Sequence, residues 1–476
     1  MFTLQLLING KWRNSSNGET ARIVNPATEQ VEGEFHVAQD QDLDEAAEVA
    51  VAGFEKWRRV SALARGAVLR KSAQLMRERA ASIAESITRE NGKTLQEATM
   101  EVTSAADYFD WFAEEARRAF GRIIPARAPG VRQMVTKEPI GPVLALSPWN
   151  WPLMTATRKL APALAAGCSV ILKPAEETPS GAVALARILM EAGLPDGVLS
   201  VVYGVPSHIS HRLISSPHVR KVSFTGSIAV GRLLAAQAAQ APKRITLELG
   251  GHAPVIVFDD ADVDAAVAKI MPFKFRTAGQ VCSCPSRFFV QEGVYERFLT
   301  LMSAASEKLK VGNGLEPGMD MGPLTSVRRL EAVSGFVDNA RSQGARVVTG
   351  GSRIGRTGNF YSPTVLRDVP LDAALMQEEV FGPLVPVVPF KSYEEVVRHS
   401  NSLNIGLSAY AFTRSLSTAQ AISDDLETGM VGVNTLGISI PEAPFGGIKD
   451  SGYGHEGGSE GLEAYMNTKF IAQAWQ

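Results

Sequence analysis

The sequence predicts an α/β fold built around parallel sheets, on three observations. From Pro142 onward, short apolar runs alternate with stretches of helical length. Polar and glycine-bearing turns follow those runs at their carboxyl ends, where α/β sheets bind ligands. At 476 residues the chain is too long for one small core, so two or three lobes are expected.

The first third is helical after a short polar, β-like entry. Asp42 and Asp44 open the run DEAAEVAVAGFEKW, and Ser61 opens a longer run to Asn91-Gly92, a pair on which helices end. A further helix is expected from Glu97 to Ala119. The stretch Arg122 to Lys137 carries prolines at 125 and 129 with β-branched residues between them, and reads as an extended arm.

The alternating region follows. Strands are expected at 143–147, 169–173, 199–203, 221–224 and 245–250, with helices over 152–166, 179–192, 206–215 and 227–239. Beyond Asp259 a second α/β stretch shows helices near 262–270 and 292–309 and strands near 287–291 and 385–389. The segment FGGIKDSGYGHEGG is glycine-rich, and a short tail closes the chain.

Composition excludes several classes of function. Hydrophobic residues make up 45% and charged residues 21%, the proportions of a soluble globular protein. A formal net charge of −2 without a long block of like charge gives no pull toward nucleic acid or an anionic membrane. No apolar run approaches the roughly 18 residues that span a bilayer, and the N-terminus lacks the basic start of a signal peptide. Three cysteines cannot build a disulfide framework, which points to a reducing, cytoplasmic setting.

Five short segments carry candidate chemistry. Cys282, in TAGQVCSCPSR, sits in a glycine-flanked loop where a thiolate can attack a carbonyl carbon, although a lone cysteine is more often buried and structural. Glu248, in TLELGG, ends an apolar strand where a base is well placed, with a surface glutamate as the plainer reading. Asn150, in PWNWP, offers an amide to an oxyanion, though an Asn there also suits turn chemistry. Lys173 and Glu176 follow a strand and suit ribose hydroxyls. Gly226 and Gly231 lie where a strand enters a helix whose N-terminus suits a pyrophosphate, a weaker signal than G-x-G-x-x-G.

Together, PWNWP, KPAEETP, FTGS, LELGG, GQVC, EEVFGP and PFGG, in that order, make the chain resemble the aldehyde dehydrogenase superfamily along essentially its whole length. The resemblance implies an aldehyde dehydrogenase fold: a Rossmann-like dinucleotide-binding domain (1–120 and 138–249), an α/β catalytic domain (250–440) and a small β oligomerisation arm (121–137 and 455–476), with homodimers or homotetramers. It implies Cys282 as nucleophile, Glu248 as base, Asn150 as oxyanion donor and Lys159 as the active-site lysine. Cofactor contacts are implied for Trp149, Lys173, Glu176, Gly226, Ser227, Leu249, Glu379 and Phe381. Retention of Glu248 sets the chain apart from the CoA-acylating semialdehyde enzymes, which lack that base.

Arg158, Arg276 and Ser439 resemble the carboxylate clamp of succinate-semialdehyde dehydrogenases, since two guanidinium forks suit a distal carboxylate. Single ion pairs are the plainer reading of each arginine. Segments such as SAADYFDWFAEEARRAFGRIIP are also similar to bacterial α-ketoglutaric-semialdehyde dehydrogenases, and glutarate semialdehyde fits the same clamp. Succinate semialdehyde is the expected substrate, with a broad-range aldehyde dehydrogenase or, less well supported, a non-catalytic binding protein as alternatives. Glu176 favours NAD by repelling a 2′-phosphate, while Lys173 leaves NADP usable. Cys284 is expected to be a packing residue, because a bridge to Cys282 would need a strongly bent loop. Cys168 reads as structural, and His208 and His211 as a polar helix face without a third metal ligand.

Overall fold

The computed structural model describes residues 2–475. An eight-stranded sheet holds a parallel centre formed by Val143–Leu146, Val170–Lys173, Leu199–Val201, Lys221–Thr225 and Arg244–Glu248. Numbered by chain order, those five strands lie 3-2-1-4-5, so the order reverses between Val143–Leu146 and Lys221–Thr225. Short antiparallel strands extend both edges: Leu6–Ile8 and Lys11–Arg13 on one side, Gly452–Tyr453 on the other. Near-continuous burial along the central strands matches their apolar composition, since parallel strands are covered on both faces.

A seven-stranded sheet forms the second lobe. Its strands Thr364–Arg367, Leu384–Phe390, Pro285–Gln291, Ala253–Val257, Ser408–Phe412 and Met430–Val433 run parallel, and Arg346–Thr349 pairs antiparallel at one edge. Each large sheet has its own hydrophobic core. A separate three-stranded antiparallel sheet joins Arg122–Ile124, Val131–Pro139 and Met466–Ala474, with Met466 opposite Pro139 and Ala474 opposite Val131. It leaves Ile123, Phe470 and Trp475 exposed. A small sheet of Phe2–Leu4, Val31–His36 and Thr20–Val24 accounts for the β-like entry.

Differences from the expected elements have local causes. The run after Ser61 forms two helices, Ala62–Glu78 and Ala80–Asn91, because Arg79 leaves the helical region at φ −107°, ψ 14°. Arg79 there bridges to Glu191 at 2.7 Å, and the second helix packs on Ser180–Glu191. The next helix starts at Leu95 rather than Glu97, since Thr94 and Glu97 close a capping box, and it ends at Glu115. Gly92 ends its helix at φ 92°, a conformation that glycine adopts without penalty. In the second lobe the helix Val327–Ser342 and the strands Thr364–Arg367, Ser408–Phe412 and Met430–Val433 are additions to the expected set.

Candidate active site

The reversal of strand order creates a crevice at the carboxyl ends of two neighbouring strands. Val143–Leu146 feeds Pro148, Trp149 and Asn150 into it, and Lys221–Thr225 feeds Gly226 and Ser227. Arg244–Glu248 is next in the sheet, so Glu248 arrives at the same edge. The chain then crosses through Gly250 and Gly251 into Ala253–Val257 of the second sheet. A Cβ on Gly251 would lie 2.4 Å from the Cys282 carbonyl oxygen, so glycine is what permits the two loops to meet. Cys282 precedes Pro285–Gln291 and follows a turn in which Thr277 and Ala278 have φ of 50° and 52°. Cys282, Glu248 and Asn150 thus line one cavity of about 400 Å³.

The electrostatics of this cavity come from burial. Glu248 is 1% exposed and its Oε1 has no hydrogen-bond partner. Burial, followed by the negative charge of Glu456, pushes its carboxyl up to about 7. Burial, and then the charge of Glu248, holds the Cys282 thiol well above its usual value, while Arg158 acts in the opposite direction. The Glu248 charge therefore opposes ionisation of the thiol, whereas a hydrogen bond from the thiol favours the carboxylate, whose Oε1 stays unpartnered and available to take a proton. Asn150 donates from Nδ2 to the Gln280 carbonyl at 3.0 Å, which ties the amide to the loop of Cys282 and leaves its second N–H free.

The same cavity contains Arg158, Arg276 and Ser439. Arg158 donates to Ser439 Oγ at 2.5 Å and stacks 4.0 Å from the Phe445 ring centre. Arg276 lies 4.7 Å from the ring centre of Phe273 and 5.3 Å from that of Trp151. The Nε of each arginine is buried without a partner, and among the described residues neither guanidinium forms an ion pair with a carboxylate. Burial outweighs the charges around Arg276, so an anion entering the cavity would be favourable there, while the charges of Glu456 and Glu248 already offset part of the burial cost of Arg158.

A profile of the aldehyde dehydrogenase family matches residues 12–471. The chain belongs to this family. It is 48% identical to a 4-(hydroxymethyl)benzenesulfonate dehydrogenase of Comamonas testosteroni, with 98% of this chain and 97% of the relative covered. It is 45% identical to a glutarate-semialdehyde dehydrogenase of Pseudomonas putida, with 99% and 98% covered. Among solved structures, the succinate-semialdehyde dehydrogenase of Burkholderia pseudomallei superimposes with a TM-score of 0.98 at 44% identity, covering 99% of this chain and 98% of the other. The protein is therefore an aldehyde dehydrogenase with that family's fold, and the family works with NAD(P).

Four of the residues expected for this dehydrogenase are not among those lining the cavity of Cys282. Lys159 is not in the cavity wall. It is buried behind it, donating to Glu456 Oε1 at 2.5 Å and Thr225 Oγ1 at 2.6 Å. Lys173 and Glu176 form an ion pair outside the cavity, and Leu249 packs near Gly231. Trp149, Gly226, Ser227, Glu379 and Phe381 do line the cavity. The Phe381 ring meets Trp149 edge-on at 5.4 Å between centres, and Glu379 accepts from the Gly251 N–H at 3.1 Å, its carboxyl pushed up to about 7 by burial. Gly226 and Gly231 also sit in close packing: a Cβ would meet the Phe224 ring at 2.4 Å and the Leu249 side chain at 2.5 Å respectively, so those side chains would have to shift.

Cys284, Cys168, His208 and His211 do not line the cavity. Cys284 is buried with its sulfur 3.6 Å from Lys274 Nζ, and Cys168 is buried against Tyr465 with its thiol pushed up to about 11 by burial. His208 pairs with Asp40 and His211 contacts Gln237. Among the described residues no His, Cys, Asp and Glu group can hold a metal, and no helix is long and apolar enough to cross a membrane. Sequence reasoning missed Glu456, which lies in the glycine-rich segment next to His455, and Arg329, which lines the cavity beside Glu379. Local sequence gives neither a signal, because each reaches the site only through tertiary packing.

Proposed function

We propose that this dehydrogenase oxidises a short aldehyde bearing a distal anion, in the first instance the carboxylate of succinate semialdehyde, irreversibly to the acid. The observation that carries this reading is the pair of guanidiniums, Arg158 and Arg276, that lie in the cavity of the thiol without an ion pair to a carboxylate, each with its Nε unpartnered. Cys282 Sγ adds to the aldehyde carbon, passing its proton toward Glu248. The oxyanion is held by the free Asn150 amide hydrogen and the Cys282 backbone N–H. A nicotinamide held in the crevice would accept the hydride from the adduct carbon, and Cys282 would then carry the acyl group as a thioester. Glu248 passes the thiol's proton to solvent and, ionised again, takes a proton from the water that attacks this thioester; Cys282 Sγ departs as thiolate and the acid leaves.

The residues present fit a dinucleotide. The crevice lies at the strand-order reversal, and the helix Ile228–Gln240 begins beside it with Ser227 as N-cap. Glu176 follows Val170–Lys173, which neighbours Val143–Leu146 at the reversal, so its carboxylate suits ribose hydroxyls and favours NAD over NADP. Lys159, held against Glu456 and Thr225, supports the cavity floor from behind. The apolar residues exposed on the three-stranded arm support homo-oligomerisation. Three free cysteines support a reducing, cytoplasmic setting.

A second reading concerns the anion. Arginines recognise sulfonates as they do carboxylates, and the Comamonas relative is named for a benzenesulfonate. The test is reduced-cofactor formation at 340 nm with succinate, glutarate and α-ketoglutarate semialdehydes, sulfonated aldehydes of similar size and uncharged aldehydes of matching length. A large kcat/KM advantage for anionic aldehydes is expected, and the ranking within them names the substrate. Equal rates with uncharged aldehydes would refute the anion clamp.

A further inference from the structure

A buried polar cluster outside the cavity joins the two loops on which the proposed chemistry depends. Lys93 Nζ donates to Glu101 Oε2 at 2.7 Å and to the Asn150 carbonyl at 2.8 Å, and lies 4.3 Å from the Trp151 ring centre. Glu101 Oε1 accepts from the N–H groups of Leu153 and Met154 at 2.8 and 3.1 Å, at the start of the helix that carries Arg158. One turn earlier on the same helix face, Glu97 Oε1 accepts from the Thr277 N–H at 2.7 Å. Its Oε2 closes the capping box on Thr94. All three charged side chains are buried.

We infer that Lys93, Glu97 and Glu101 are positioning residues that hold the loop of Asn150 and the loop of Cys282 in register. The inference rests on the reading of Cys282 as nucleophile and Asn150 as oxyanion donor. Its physical basis is the separate origin of those two loops. One leaves the first sheet and the other enters the second, so covalent connection does not fix the gap between them. The segment Lys93–Glu101 touches both. Glu101 and Lys93 hold the first loop by its backbone and by the start of the following helix. Glu97 holds the second at Thr277, a β-branched residue at positive φ that persists only when its surroundings over-determine it. The segment is itself seated on the second lobe: the Leu95 N–H donates to the Gly314 carbonyl at 3.0 Å, and a Cβ on Gly322 would lie 1.9 Å from the Gly92 carbonyl oxygen. A small displacement of either loop would separate the amide donor from the thiol's adduct, and such misplacement costs rate rather than binding.

The test uses the full-length enzyme and a cycle of variants. Replacing Lys93 alone would strand a buried carboxylate, so the pair is removed together as Lys93→Met/Glu101→Leu, with the thermal midpoint recorded. We expect kcat to fall about tenfold to a hundredfold, with aldehyde KM and cofactor Kd within about threefold of the parent. Adding Asn150→Ala to that variant should slow it no further than Asn150→Ala alone, because the bracket acts through Asn150. Glu97→Ala should change the rate of Cys282 alkylation by iodoacetamide several-fold, a readout that needs no turnover. Losses that multiply in the combined variant, or an unchanged kcat with only a lower thermal midpoint, would overturn the inference while leaving the reaction intact. An Asn150→Ala enzyme at the parent rate would instead sink the oxyanion reading, and the inference with it.

Discussion

Glu248 gives the sharpest quantitative expectation. Its carboxyl is pushed from an ordinary 4.5 to about 7, chiefly by burial and next by the charge of Glu456. That displacement makes the ionised form about 3 kcal/mol less favourable than in water. A base works only when ionised, so hydrolysis of the acyl-enzyme should fall as pH falls through about 7. At pH 5 only about one enzyme in a hundred would carry the carboxylate, where an unperturbed group would be about three-quarters ionised. The assay is stopped-flow measurement of reduced cofactor between pH 5 and 9. The initial burst reports attack by Cys282, and the slower steady phase reports the water that Glu248 activates. The steady phase should titrate with an apparent pKa near 7, and Glu248→Gln should abolish that limb while leaving a burst, slowed by loss of the group that takes the thiol's proton. A steady rate flat from pH 5.5 to 8, or the same limb in Glu248→Gln, would refute the reasoning. The linkage has a matching sign: the folded protein binds this proton more tightly than the unfolded chain, so Glu248 contributes most to stability below 4.5, and that contribution is lost as pH rises to about 7.

Other expectations follow from single contacts. Arg276→Met should lower kcat/KM for anionic aldehydes by about 30-fold or more, the cost of losing a buried charge-assisted contact of 2 kcal/mol upward, and leave uncharged aldehydes within about threefold. Glu176→Ser should improve NADP relative to NAD at least about tenfold in kcat/KM, by removing a carboxylate that opposes a 2′-phosphate. An unchanged ratio would place cofactor choice elsewhere. Gly251→Ala puts a Cβ 2.4 Å from the Cys282 carbonyl oxygen, so it should displace the nucleophile loop, costing about 1–3 kcal/mol of stability and lowering kcat. Calorimetry and steady-state rates check both effects.

The parallel strands of the first lobe were legible because each is a short apolar run ended by a polar turn, and their observed limits differ from the expected ones by a residue or two. The family was legible for a different reason: four of its ordered short segments are the turns that leave those strands, where backbone geometry narrows the choice of residue. Local pattern was less informative in the second lobe. The sequence reading missed strands such as Ser408–Phe412, which is short and joins the sheet by pairing with residues some 150 positions earlier, and Met430–Val433, which pairs in turn with Ser408–Phe412.

The sequence by itself determined the family and the loops on which a thiol, a carboxylate and an amide would be found, because those depend on residue types at local spacing. Only the tertiary structure decided their company. It placed Lys159 behind the cavity against Glu456, a partner almost 300 residues away. It brought Arg158, Arg276 and Ser439 together without a carboxylate among them. It also set Glu97 and Glu101 against two loops from different lobes. Burial and long-range approach set charge pairing and proton affinity, and neither is a property of a residue's neighbours along the chain.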